Sequence, residues 1–276
     1  MNSTDQQVAA HYTHGSLEGA ILAGLEKLRG ISEAPLVDQL AGVDEFHMGG
    51  RPATKAVADQ LQLSPGLKVL DIGCGLGGTA RFLATAYGSQ VDGVDITKEY
   101  VDVGNGLNQR LGLADQIDLA VASAIDMPYD TASFDRATML HVGMNIVDKD
   151  ALFSEISRVT KPGGYIGIYD VMRTGDAPIA YPVAWAQDET TSFVGSVDDY
   201  RDGLEANGFE IVELIDKSDV ALTFFKNMKA KLAESGPPPI GLHIVMGPSA
   251  PQKVGNMFAN IDNGTIAPVQ ILARRR

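Results

Sequence analysis

The segment Val69-Leu70-Asp71-Ile72-Gly73-Cys74-Gly75-Leu76-Gly77-Gly78 constrains the fold of this 276-residue chain more than any other. A short apolar run ends directly in glycines and passes into a helix expected from about Thr79 to Tyr87. Glycines at such a turn let the backbone bend sharply and let a ligand approach the main chain. The alternation then continues. Further strands are expected at Gln90 to Val94, Ile117 to Ala122, Phe134 to Leu140 and Tyr165 to Val171, with helices at Tyr100 to Leu111 and Lys149 to Val159. Strands alternating with helices predict an α/β fold with a parallel, doubly wound sheet. Ligands bind such a sheet outside the carboxyl ends of its strands.

Residues 1–60 read as a helical cap. His11 to Arg29 carries Leu17, Ile21, Leu22, Leu25 and Leu28 at helical spacing, and Gly30 would end that helix. A loop with Pro35 follows. Val43 to Arg51 has no clear period, and Pro52 suits the start of a helix over Ala53 to Leu61 that enters the core. Beyond the fifth strand, residues 173–196 are rich in Pro, Ala, Tyr and Trp and read as a lid. Val197 to Asn207, Ala221 to Glu234 and Gln252 to Ile261 read as helices. Ser235 to Pro251 reads as a loop, and Phe209 to Ile215 and Ala267 to Ala273 as strands. The expected organisation is a cap over 1–60 and a core over 61–276, with lid segments near 173–196 and 219–262.

Charge narrows the partners. With 22 Lys and Arg against 35 Asp and Glu, the net charge is −13. Phosphate backbones and anionic membrane surfaces both need a basic face, so neither nucleic acid nor membrane is an expected partner. The single cysteine, Cys74, excludes an intrachain disulfide and a zinc site built on several thiolates; no metal site is expected. Without a signal-like N-terminus or a membrane-length apolar run, a cytoplasmic protein is expected.

The glycines admit two cofactors. Gly73, Gly75 and Gly78 fit a dinucleotide fingerprint. Gly73, Gly75 and Gly77, preceded by Asp71, fit the acid-x-Gly-x-Gly-x-Gly pattern of S-adenosylmethionine enzymes. Asp71 discriminates: a carboxylate there would repel a pyrophosphate but favour an ammonium and a sulfonium. Asp95, ending the second strand, can accept from ribose hydroxyls in either case.

Four segments in order resemble class I S-adenosylmethionine-dependent methyltransferases. They are Val69 to Gly78, Val91 to Thr97, Ser123 to Asp135 and Ile156 to Gly164. Within that class the chain looks most like the small-molecule branch of sarcosine/dimethylglycine and ubiquinone/menaquinone methyltransferases. Tyr181-Pro182-Val183-Ala184-Trp185-Ala186, then Ser192-Phe193, and Phe46-His47-Met48-Gly49-Gly50 carry that likeness. The resemblance implies a Rossmann-like, seven-stranded sheet whose last strand is antiparallel, S-adenosylmethionine as cofactor and a small-molecule methyl acceptor. It implies that Gly73 and Gly75 line the methionine end beside Asp71, that Asp95 holds the ribose, and that Ile96 packs on the adenine. Ser123, Ala124 and Ile125 would edge the adenine; an Asp is usual where Ser123 stands. Cys74 and Leu140 would complete the lining, and Tyr12 would fold over the cofactor.

Methyl transfer from a sulfonium is an in-line displacement that asks mainly for positioning and a dry site. A base is needed only where the nucleophile must lose a proton. His141, after the fourth strand, is a candidate base or hydrogen-bonding group, with packing as its alternative. His47 is a candidate substrate contact or a structural residue. Arg51 could clamp an acceptor carboxylate, or pair with Asp44 or Glu45. Tyr181 and Trp185 could bound the pocket, with Trp185 facing an ammonium, or merely pack the lid. Met144, Met228, Met246 and Met257 could line an adaptable apolar pocket. Two acceptor classes follow: a small amine or amino acid methylated on nitrogen, or an apolar natural product, terpenoid or quinone methylated on oxygen or carbon. A nicotinamide-dependent oxidoreductase is the remote alternative. Monomer and homodimer are both compatible.

Overall fold

The computed structural model describes residues 3–276. Its strands are β1 Lys68–Ile72, β2 Gln90–Asp95, β3 Ile117–Val121, β4 Phe134–Leu140, β5 Thr160–Arg173, β6 Phe209–Asp216 and β7 Ile266–Arg275. They form one sheet in the order β3-β2-β1-β4-β5-β7-β6. The first five strands are parallel, and β7 runs antiparallel between β5 and β6. The fold is therefore the Rossmann-like, seven-stranded methyltransferase sheet that the resemblance implied. β1 lies between β2 and β4, so the winding reverses there and opens a crevice at the carboxyl ends of these strands.

The helices are α1 Ser3–Tyr12, α2 Leu17–Leu28, α3 Leu36–Asp44, α4 Arg51–Gln60, α5 Gly78–Tyr87, α6 Lys98–Arg110, α7 Lys149–Val159, α8 Val197–Ala206, α9 Ser218–Ser235, α10 His243–Met246 and α11 Ala250–Asp262. One core packs Leu70, Ile72, Met139 and Ile168 of the sheet against Phe153 of α7 and Leu204 of α8. A second joins Val69 and Val91 to Leu83 of α5 and Val101 of α6. Covered on both faces, β1 reads after Lys68 as an apolar run broken only by Asp71.

The cap differs from expectation in two places. The helix expected over His11 to Arg29 is two, α1 and α2, broken at Gly15 with φ +75°. The Glu99 carboxylate of α6 accepts there from the N–H groups of His14 at 2.5 Å, Gly15 at 2.9 Å and Leu17 at 3.1 Å. A carboxylate distant in sequence thus satisfies the turn before α2 and the first N–H of α2, which no local pattern reveals. α3 forms where a loop was expected, burying Leu40 and Val43 against Leu17, Ile21, Tyr100 and Ile240. α4, expected as a helix entering the core from the 1–60 segment, lies on the sheet, with Val57 and the following Leu61 against Tyr169 and Leu272. Elsewhere, the loop expected over 235–251 contains the short α10. β5 begins at Thr160, before the expected Tyr165. Among the described residues, no helix is long and apolar enough to cross a membrane.

Candidate active site

A cavity of about 380 Å³ opens at the carboxyl ends of β1, β2 and β4, beneath α1 and the lid. Its size suits a small molecule. The glycine loop contributes Asp71, Gly73, Cys74 and Gly75 to the wall, and the end of β2 contributes Asp95 and Ile96. Ser123, Ala124 and Ile125 line it after β3, and Leu140 and His141 at the end of β4. Tyr12 closes it from α1; its hydroxyl accepts from Asn145 Nδ2 at 3.1 Å, and its ring meets Phe46 and Tyr100. Every expected cofactor residue is thus brought to one cavity.

Asp95 holds the loop in shape. Its Oδ2 accepts from Gly75 N–H at 3.0 Å and its Oδ1 from Thr97 N–H at 2.8 Å. Its remaining lone pairs can accept from a ribose. Asp71 is buried; its Oδ1 accepts from the Thr138 hydroxyl at 2.8 Å, while its Oδ2 has no partner among the described residues. An orphaned carboxylate oxygen in a cavity wall suits a cationic ligand group such as the ammonium of S-adenosylmethionine. Burial pushes the Asp71 carboxyl up to about 7, against the opposing Thr138 and Ala80 hydrogen bonds. Burial also pushes the Cys74 thiol up, which suits a lining residue rather than a nucleophile.

The raised Asp71 carboxyl sets a pH dependence. Its protonated form is favoured on folding, so its contribution to stability falls as pH rises through about 7 in the unliganded protein. A neighbouring ammonium favours the ionised form, so cofactor binding near pH 7 should release a proton. S-adenosylhomocysteine affinity should rise by up to about tenfold between pH 6 and pH 8, read by calorimetry in buffers of different ionisation heat. Affinity flat across that range would remove Asp71 from the ammonium subsite.

The opposite end of the cavity holds the other candidates. His141 has φ +56°, a left-handed backbone rare outside glycine. Its Nδ1 faces the Tyr169 carbonyl at 3.1 Å, and its Nε2 accepts from Met48 N–H at 3.4 Å. Because the carbonyl can only accept, Nδ1 carries the proton. Neither ring nitrogen is then free for a base, and His141 instead ties β4 to the cap. Burial pulls its pKa down to about 3, with His47 adding to the shift. His47 also lines the cavity. Its Nε2 lies 3.2 Å from Gly50 O, 3.0 Å from Thr54 Oγ1 and 3.4 Å from Glu45 Oε2, so the proton sits on that nitrogen and Nδ1 keeps its lone pair.

Two sequence candidates do not line the cavity. Arg51 is paired with buried Glu45 and stacked 4.9 Å over the Phe82 ring, which withdraws it from any acceptor. Tyr181 packs into the lid cluster. Trp185 does line the cavity but is fully buried, and its Nε1 donates to Ser192 Oγ at 2.9 Å. Met144, Met246 and Met257 reach the wall; Met228 does not. Sequence reasoning missed Asp44 and Tyr100 beside the glycine loop, and Met48, Phe224 and Phe225 at the acceptor end. They come from distant segments with no shared local signal.

Residues 70–168 match the family model for a methyltransferase domain. Methyltransferase GfsG of Streptomyces halstedii is 30% identical over 182 residues, covering 65% of this chain and 66% of that protein. The O-methyltransferase cnsE of Penicillium expansum is 30% identical over 167 residues, covering 60% of each. The matched stretch thus spans just under two thirds of the first relative and less of the second. The geranyl diphosphate C-methyltransferase of Streptomyces coelicolor A3(2) superimposes with a TM-score of 0.73 over 100% of this chain and 99% of that one, at 19% identity. That likeness speaks for the fold alone. The glycine loop, the orphaned Asp71 oxygen and the family match agree on one class. Residues 70–168 are similar to a methyltransferase domain, carried on a sheet with the methyltransferase fold.

Proposed function

We propose that this protein transfers a methyl group from S-adenosylmethionine to a small, uncharged, largely apolar acceptor, on oxygen or carbon. One observation carries the reading: among the described residues no Lys or Arg lines the cavity, and its far end is built from Met48, Met144, Trp185, Phe224, Phe225 and Met257. An acceptor carboxylate or phosphate would be desolvated there without a partner. With Arg51 held by Glu45, the feature that favoured an amino-acid acceptor is missing from the wall. Within the small-molecule branch, this supports acceptors of the quinone or natural-product kind over sarcosine or dimethylglycine.

Bound S-adenosylmethionine supplies an activated methyl group at its sulfonium. The chain itself excludes water, with Tyr12 and the lid covering the cavity, and orients the acceptor against thioether and aromatic surfaces. His47, its Nε2 hydrogen anchored outward, presents Nδ1 to take a proton from a phenol or enol. Burial pulls its pKa down to about 4, so it is neutral at pH 7, with its Nδ1 lone pair available but weakly basic. His141 acts as a positioning residue by holding Met48.

The test is transfer from methyl-labelled cofactor to a mixed panel, followed by mass detection. Product is expected from neutral phenols, enols or isoprenoid acceptors and none from glycine, sarcosine or phosphoethanolamine. Efficient turnover of those zwitterions would overturn the acceptor class.

A further inference from the structure

Asp44, the last residue of α3, is fully buried in the cap. Its Oδ2 accepts from Arg81 Nη2 at 2.7 Å. The same guanidinium donates to Asn108 Oδ1 at 2.8 Å and to the Leu76 carbonyl at 2.7 Å, so Arg81 is well supplied with acceptors. Asp44 Oδ1 has no hydrogen-bond partner among the described residues, yet Asp44 forms part of the cavity wall. It sits over the start of α5: a Cβ built on Gly78 would stand 2.8 Å from Asp44 Cγ and 2.3 Å from its carbonyl oxygen. Asp71, on β1, faces the same first turn of α5, whose Ala80 backbone favours its ionised form. Two carboxylates from different elements therefore share this wall beside the first turn of α5, each with one buried oxygen that lacks a hydrogen-bond partner, and among the described residues no Lys or Arg lines the cavity.

An unpaired buried carboxylate oxygen is costly, and natural proteins rarely retain one without a ligand, water or ion to satisfy it. One such oxygen is explained by Asp71. The second, from a different element, needs its own partner, and a cation between the two carboxylates satisfies both. We propose that Asp44 is a second anionic clamp for the ammonium of the cofactor's amino-acid end, acting opposite Asp71. The inference rests on the cofactor reading above. It also gives the amino-acid end of the cofactor a structural task, since its ammonium would join α3 of the cap to β1 of the core.

The test pairs a change in the protein with a change in the ligand. S-adenosylhomocysteine and its deaminated analogue, 4-(adenosylthio)butanoate, are titrated calorimetrically into the unaltered chain and into Asp44→Asn. If Asp44 holds the ammonium, Asp44→Asn weakens S-adenosylhomocysteine by about tenfold or more and the deaminated analogue by less than about twofold. Equal losses for both ligands would mean that Asp44 acts only through Arg81, and no loss for either would mean that it does nothing for binding; each result overturns the proposal. Asn108→Ala, which removes another Arg81 acceptor without touching the ammonium, should lower the unfolding temperature without separating the two ligands. If Asp44→Asn does not fold, the unaltered chain still decides: it should bind the deaminated analogue at least about a hundredfold more weakly, as expected for losing two carboxylate contacts, and a loss below about tenfold overturns the proposal. Absence of S-adenosylhomocysteine binding to the unaltered chain would instead refute the cofactor reading itself.

Discussion

Replacing Asp95 with Ala is expected to lower S-adenosylhomocysteine affinity by about a hundredfold or more. The carboxylate has two tasks. Its oxygens accept from Gly75 N–H at 3.0 Å and Thr97 N–H at 2.8 Å, which pins the glycine loop to the end of β2. Its outward lone pairs remain for the ribose hydroxyls. Hydrogen bonds to a charged acceptor contribute about 1.5–3 kcal/mol each, so losing the ribose contacts accounts for a hundredfold before the loop relaxes. Asp95→Asn keeps one carbonyl acceptor and should fall between. Calorimetry reads the effect, with thermal unfolding as a control for folding. Unchanged affinity in Asp95→Ala would place the ribose elsewhere.

The second large effect concerns Gly73. It has φ +66°, and a Cβ there would stand 2.3 Å from Val142 Cγ2 and 2.7 Å from Val142 Cγ1. Gly73→Ala therefore combines a left-handed backbone with overpacking, a cost of about 2–4 kcal/mol in all. The loop should be displaced toward the cofactor, so S-adenosylhomocysteine binding should also be lost. Gly75 provides the contrast. It too has positive φ, at +52°, but its nearest neighbour would be Tyr100 Cδ2 at 3.8 Å, so Gly75→Ala should cost stability only through backbone strain. Adding Val142→Ala to Gly73→Ala should recover the steric part of the loss and not the conformational part. Denaturant unfolding of the three variants separates these contributions. Equal destabilisation by Gly73→Ala with and without Val142→Ala would show that the contact with Val142 is not the cause.

The core of the fold was legible because it is written in local pattern. An apolar run that ends in glycines at β1, and further apolar runs interleaved with helical periods, mark the five parallel strands, and the crevice follows from their order. Asp71 and Asp95 were legible because charge at a strand end has few uses. The cap was less so: the break at Gly15 depends on Glu99, a carboxylate 84 residues away. α3 was missed although Leu40 and Val43 sit one helical turn apart. Arg51 illustrates a different limit. Its pairing with Glu45 was foreseen as an alternative to an acceptor clamp, and only the three-dimensional position of the Glu45 carboxylate decides between them. The acceptor end is the least legible part, because Met48, Met144, Phe224 and Met257 meet there from four separate segments. His141 shows the converse: its place after β4 was plain, but its left-handed backbone and two engaged nitrogens follow from tertiary contacts alone.

The account stands on the identity of the cofactor, and calorimetric titration of the unaltered chain tests it most directly. S-adenosylhomocysteine should bind at one site per chain and NADH should show no saturable heat, because Asp71 faces the position a pyrophosphate would take. Saturable NADH binding without S-adenosylhomocysteine binding would contradict the account and return the glycine loop to its dinucleotide reading.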